Sequence, residues 1–304
     1  MIKIFELSFI KNNETKGIIY GVLSIIIFSL TFPMTKIALN HFNSDLVIFG
    51  RGFLGAILAS IILLVTKQKL PEKKYFKSIF IIALGILFSP IFSSSALKLV
   101  DSSHGTIITA LSPIITSLIA KFRIKEVQSK AFWIGSIIAS SSIIFFSFNS
   151  KDSFKLADIY LLIAIIISSF VSAEGGKLSK YLGGWKVISW ALVLTLPFTS
   201  IKAIPEIYKL NFEYFSISWL SILYIGFISQ LLGMFIWYSG MNKIGVSKIS
   251  QMQLFQPAFG TIFAFFMLGE NLSFYGFITL GIVFLSVVFI KHDTSKASLG
   301  KSKM

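Results

Sequence analysis

Cysteine is absent from the chain, so neither disulfides nor thiolate-held metals contribute to its structure, and the redox state of its compartment cannot be read. Histidine is nearly absent as well. His41, His104 and His292 are too scattered in sequence to form an HExxH-type zinc site. Charge is scarce: 13% of residues are charged, against about 25% in ordinary soluble domains. Nucleotide chemistry is excluded too. GGKLS at 175–179 has a P-loop-like Gly-Lys but lacks both the upstream glycine and the Ser or Thr after Lys177. No cofactor and no metal are expected.

Hydrophobic residues make up 55% of the 304, and the mean hydropathy is +0.81. They come in blocks of roughly 18–24, the length a helix needs to cross a ~30 Å hydrocarbon layer. The chain therefore reads as an all-α integral membrane protein with the lipid bilayer as its main partner. The net charge of +15 does not point to nucleic acid, because Lys and Arg sit in short loops between apolar blocks and not in a stripe over a soluble face.

Ten spans are predicted, at 17–38, 45–66, 76–97, 103–121, 131–148, 157–176, 186–204, 217–240, 247–268 and 273–291. The first block is full-length with no small-residue cleavage pattern, and so reads as a retained span and not a signal peptide. Between 268 and 273 only a short break containing Gly269 and Asn271 divides two blocks, with Ser273 as a helix cap. The basic residues divide 21 to 5 between the two sides of this layout, with Lys36 and Arg51 inside the first two spans. That bias predicts cytoplasmic termini in a bacterial-type inner membrane, the polar segment 1–16 and the basic tail 292–304 both facing inward.

Residues 95–126 align without gaps beneath 239–270, a shift of 144. Ser95 meets Ser239, Ser103 meets Ser247, Pro113 meets Pro257, Ala120 meets Ala264 and Glu126 meets Glu270. Both copies occupy the fourth of five consecutive spans. An odd number of spans per repeat inserts the halves 17–148 and 157–291 with opposite orientation, the layout of transporters that work by alternating access.

The segments ALKLVDSSHGTIITALSPIITSLIAKFRIKE and MNKIGVSKISQMQLFQPAFGTIFAFFMLGE resemble the paired repeat ends of EamA-type permeases in the drug/metabolite transporter superfamily. The resemblance covers about 17–291 and implies transport of amino acids, nucleosides, sugars, cofactors or drugs, with export favoured. One departure is RIKE at 123–126, where the family usually has glycine before the Glu; Gly269–Glu270 keeps it. Another is the pair Gly276 and Gly281 in place of a single later glycine.

The proline in each fourth helix frees a carbonyl, which hydrocarbon tolerates only where protein or water satisfies it. A simple packing kink and a water-exposed pathway are equal readings of Pro113 and Pro257. Thr109, Ser112 and Thr116 share one helical face, and the shifted positions are Gln253, Gln256 and Gly260. Two glutamines should point inward from lipid, so these faces are the predicted lining of a substrate pathway. Gln230, Trp237 and Tyr238 join it from the eighth span, although the two aromatics fit an interfacial belt slightly better. Trp133, Trp185, Trp190 and Trp219 read as belt or core.

Arg51 falls about six residues, roughly 9 Å, inside the outer end of its span. With Lys36 it would form a positive outer vestibule suited to a substrate carboxylate or phosphate; snorkelling to headgroups beside Asp45 is the equal alternative. His104 reads as interfacial and Glu174 as neutralised by Lys177. No carboxylate lies at mid-membrane depth, so exchange is favoured slightly over proton coupling. The expected function is a secondary transporter of a small metabolite, an amino acid or similar polar or amphipathic solute, of unassigned oligomeric state. A channel, or a non-transporting sensor or scaffold, is the alternative. A convergent catalytic set is missing, so an enzyme is not expected.

Overall fold

The computed structural model describes residues 12–126, 128–149, 156–210 and 217–301, without the side chains of 147, 287 and 290–301. Most of the N-terminal segment 1–16, the connection between the two halves and the last residues of the tail lie outside the described residues, as do the side chains of 292–301. Every regular element among the described residues is helical. In chain order these are α1 (Asn13–Leu39), α2 (Ser44–Val65), α3 (Lys73–Leu97), α4 (Ser102–Ile124), α5 (Lys130–Asn149), α6 (Leu156–Leu182), α7 (Gly184–Tyr208), α8 (Ile217–Ile244), α9 (246–268) and α10 (Phe274–Lys301). Seven of them, α1–α4 and α6–α8, are long and apolar enough to cross a membrane; α5 and α10 carry shorter described apolar stretches, Lys130–Phe146 and Phe274–Ser286.

Helix starts follow the capping residues. The Asn12 side chain accepts the Glu14 N–H at 2.8 Å, and Asn43 accepts that of Asp45 at 3.3 Å. Two helices end on a left-handed residue at matching places: Lys125 (φ 56°) closes α4 and Gly269 (φ 66°) closes α9. Each lets the N–H of the following glutamate reach back six residues, Glu126 to Ala120 O and Glu270 to Ala264 O, both at 3.4 Å. The glycine missing from RIKE therefore has a physical consequence. A lysine holds a conformation that glycine adopts without strain.

The helices pack mainly across the two halves: α2 on α7, α3 on α6, α1 on α8 and α5 on α10. Exchanging each residue n for n+144 turns the α1–α8 contact into α6–α3 and returns the other two pairs to themselves. Helices α4 and α9 lie antiparallel beside one another. The first turns of each, Ser102–Ile108 and Val246–Ser250, pack on the other's second half. Close approach across the halves depends on small residues. A Cβ on Gly85 would meet Val171, and one on Gly175 would meet the Tyr238 ring. The small-residue run of α5 is used internally, with Ser136 and Ala139 buried and the Ser142 carbonyl accepting from Thr279 of α10 at 3.3 Å.

Candidate functional site: a polar cavity between the halves

The prolines explain the shape of α4 and α9. Each lacks the N–H that would bond the carbonyl four residues back. In α4 that carbonyl belongs to Thr109 and is taken by the Ser112 N–H; in α9 it belongs to Gln253 and is taken by the Gln256 N–H. Each substitution tightens the preceding residues into a 3-10 turn, Thr109–Leu111 and Gln251–Phe255, and these turns pack on each other at the crossing. Pro113 and Pro257 are themselves buried outside the cavity lining, and so shape the pathway helices without facing the space between them.

A cavity of ≈ 200 Å³ opens beside this crossing. Thr109, Ser112, Thr116, Gln230, Trp237, Gln253 and Gln256 all line it. Gly260 does not; its Cα packs against Thr106. Tyr238 also lies elsewhere, with its ring on Gly175 and its hydroxyl donating to the Val171 carbonyl at 3.2 Å. Trp237 and Tyr238 are 1% and 0% exposed, which corrects the belt reading of both: their rings pack inside the bundle, on the cavity wall and on Gly175 respectively. The residues Tyr224–Gly233 form a widened π-helical stretch that holds Gln230. Such widened turns recur at functional sites.

Arg51 also faces this cavity, and that corrects the outer-vestibule reading. Its side chain is buried, and its Nε donates to Gln230 Oε1 at 3.1 Å. Lys36 takes a separate place. Its Nζ donates to the Leu97 and Val100 carbonyls at 2.6 and 2.9 Å, closing the C-terminal end of α3. A long side chain rooted near a span end can turn to either face, and depth along the sequence does not say which.

Serines missed by the sequence reading complete the wall: Ser89 and Ser93 of α3 around Pro90, Ser168, Ser169 and Ser172 of α6, and Ser229 of α8. The Ser229 hydroxyl pairs with that of Thr31 at 2.7 Å, tying α8 to α1. The i, i+4 spacing of Ser168 and Ser172 was the available signal. Thr116 Oγ1, Ser169 Oγ and Gln253 Oε1 are buried at the cavity without a hydrogen-bond partner. Such groups are normally satisfied, and here water or a solute has to do it.

Two clusters close the ends of the α4–α9 pair. At one, the Glu126 carboxylate accepts the N–H groups of Val246 and Ser247 at 3.2 and 2.9 Å. At the other, Glu270 accepts those of Ser102 and Ser103 at 2.9 and 2.8 Å, and the Ser102 hydroxyl at 3.0 Å. Each carboxylate thus satisfies the free N–H groups that open the opposite half's fourth helix. A cross-half side-chain pair stands beside each cap: the Glu14–Lys248 ion pair at 2.6 Å and the Asp158–His104 hydrogen bond at 2.8 Å. The shift of 144 carries one cap onto the other, and Glu14 and Lys248 correspond to Asp158 and His104. The His104 side chain is buried against the Phe146 ring, 5.1 Å between centroids, which corrects its interfacial reading. Glu174, similarly, is held by Arg123 Nε at 3.0 Å and by the Ser78 hydroxyl, not by Lys177.

Apolar helices in this number, joined by short connections around a cavity whose apolar wall carries clustered polar side chains, define a multi-pass membrane protein. The model of the EamA-like transporter family matches the chain twice, at 15–148 and 155–291, and the chain belongs to that family. It is 33% identical over 272 residues to YdeK of Bacillus subtilis (strain 168), an uncharacterized transporter, covering 86% of this chain and 92% of that one. An uncharacterized transporter of Haemophilus influenzae is 25% identical, with 94% and 99% covered. A solved crystal structure superposes with a TM-score of 0.63 over 90% of this chain and 94% of its own at 14% identity, which speaks to the fold alone. The protein is a membrane transporter and not an enzyme.

Proposed function

We propose that the chain crosses a bacterial-type inner membrane ten times, α1 to α10, with both termini in the cytoplasm. Its halves, 17–148 and 157–291, then form inverted repeats that rock about the α4–α9 crossing. A small polar or amphipathic metabolite in the central cavity would be exposed to each side in turn, with export favoured by the family resemblance. The observation that carries this reading is the pair of matching closures. Two cross-half carboxylate caps and two cross-half side-chain pairs are related by one shift, at opposite ends of the α4–α9 pair. A device with two equivalent closures can open one while the other holds. The 21-to-5 division of basic residues supports the orientation.

The test is flux in reconstituted vesicles, with Ser112→Ala and Gln253→Ala as cavity variants. Each is expected to lower flux about tenfold, the scale of one lost hydrogen bond to a bound solute. Unchanged flux in both would remove α4 and α9 from the pathway.

A further inference from the structure

Among the described residues Arg51 is the single charged one on the cavity wall, and no aspartate or glutamate lines it. Its surroundings differ from those of the protein's other arginine partnered within the bundle. Arg123 is paired with the Glu174 carboxylate, whose own side chain is 2% exposed. Arg51, itself 9% exposed, has a neutral amide as its partner. A guanidinium carries five N–H donors. One goes to Gln230, and the rest have no protein acceptor among the described residues. A cation removed from water without a counter-charge is strongly unfavourable, and proteins keep one where an anion comes to meet it.

The rest of the wall fits the same visitor. Hydroxyls of Thr116 and Ser169 lack partners and can donate to it, while the unpartnered Gln253 Oε1 is an acceptor for a water or for a hydroxyl elsewhere on the solute. Trp237 and Phe28, their rings 5.8 Å apart edge to face, offer an apolar surface. A zwitterion would bring an ammonium group to a wall with no carboxylate to receive it.

We propose that the transported solute is a small organic monoanion, its carboxylate held by the free donors of Arg51 and its carbon skeleton against Phe28 and Trp237. Gln230 is a positioning residue that fixes the guanidinium fork through Nε and leaves the terminal nitrogens to the carboxylate. The proposal rests on the transport reading above and names the substrate class for the same cavity.

The test uses the cell's own soluble metabolites as the probe pool. Cells producing the full chain, its Arg51→Gln variant or its Arg51→Lys variant are compared with cells lacking it, and released and retained metabolites are sorted by charge at pH 7. Matched membrane levels and monodisperse solubilised protein establish that the variants fold, and the unsubstituted chain tests the charge class without them. Solutes redistributed by the unsubstituted chain should carry a net negative charge. Arg51→Gln should reduce that redistribution at least about tenfold, as loss of a buried charge-assisted contact does, with Arg51→Lys between the two. Redistribution of neutral, zwitterionic or cationic solutes, or anion movement unaffected by Arg51→Gln, overturns the proposal and leaves the transporter intact. A flat profile for every solute would count against the transport reading itself, and the proposal would fall with it.

Discussion

At the Glu270 end the cross-half pair is sealed: the His104 and Asp158 side chains are 6% and 2% exposed. At the Glu126 end its counterpart is open: the Lys248 and Glu14 side chains are 56% and 57% exposed. The caps beside them differ in the same direction, with three hydrogen bonds to the Glu270 carboxylate and two to that of Glu126. One architectural plan has been finished twice with different chemistry. An exposed pair contributes between zero and about 1 kcal/mol and is screened by salt, whereas removing one partner of a buried pair costs about 3 kcal/mol or more. In the proposed alternating mechanism the Glu270 end is therefore the firmer closure, and the Glu126 end the one that would yield first.

The largest effect should come from the buried His104–Asp158 pair, set against its exposed counterpart. Asp158→Asn is expected to lower the stability of the purified protein by about 3 kcal/mol and Glu14→Gln by less than about 1 kcal/mol, read from denaturant or thermal unfolding in detergent. Equal losses would erase the contrast. Molar salt should reproduce most of the Glu14→Gln effect and little of the other.

The caps come next. Glu270→Ala and Glu126→Ala should each cost about 2 kcal/mol, since each leaves charge-assisted bonds to backbone N–H groups unmade. The native chain has no cysteine, so a single Ser103→Cys or Ser247→Cys reports on its own end. Glu270→Ala should speed thiol labelling at 103 and not at 247, with Glu126→Ala doing the reverse. Labelling that rises at both ends from either change would mean that the closures are not separate.

The smallest effect concerns the left-handed residues. Lys125→Gly should stabilise the protein by about 1 kcal/mol, because glycine relieves a strained φ, and Gly269→Lys should cost at least as much. No gain from Lys125→Gly would indicate that the lysine side chain compensates locally.

The all-helical membrane class, the presence of two repeats and the Pro-to-Glu spacing were legible because hydrophobic periodicity and a fixed shift are local properties of a string. Thr109, Ser112, Thr116, Gln253 and Gln256 were legible for a related reason: polar residues inside an apolar helix have few places to point. What escaped depends on contacts between distant residues. Arg51 meets Gln230, 179 positions on and in a π-helical stretch that no residue pattern announces. Tyr238 was misplaced because its slot is made by Gly175 on another helix. His104 looked superficial until Asp158, 54 positions away, folded over it. The positive vestibule failed because Lys36 and Arg51 both lie in the predicted outer parts of their spans but do not share a direction in space.

Alternating closure is most directly tested by locking one end at a time. Two double variants, Ser103→Cys with Glu270→Cys and Ser247→Cys with Glu126→Cys, would be bridged by a short bifunctional thiol reagent cleavable by reductant, in vesicles where flux is measured. Each bridge should stop flux until it is cleaved. With Thr116→Cys added as a cavity reporter, each locked end should leave the cavity open to label from the opposite side only. Flux that continues with either end locked, or a cavity labelled equally from both sides, would contradict the account.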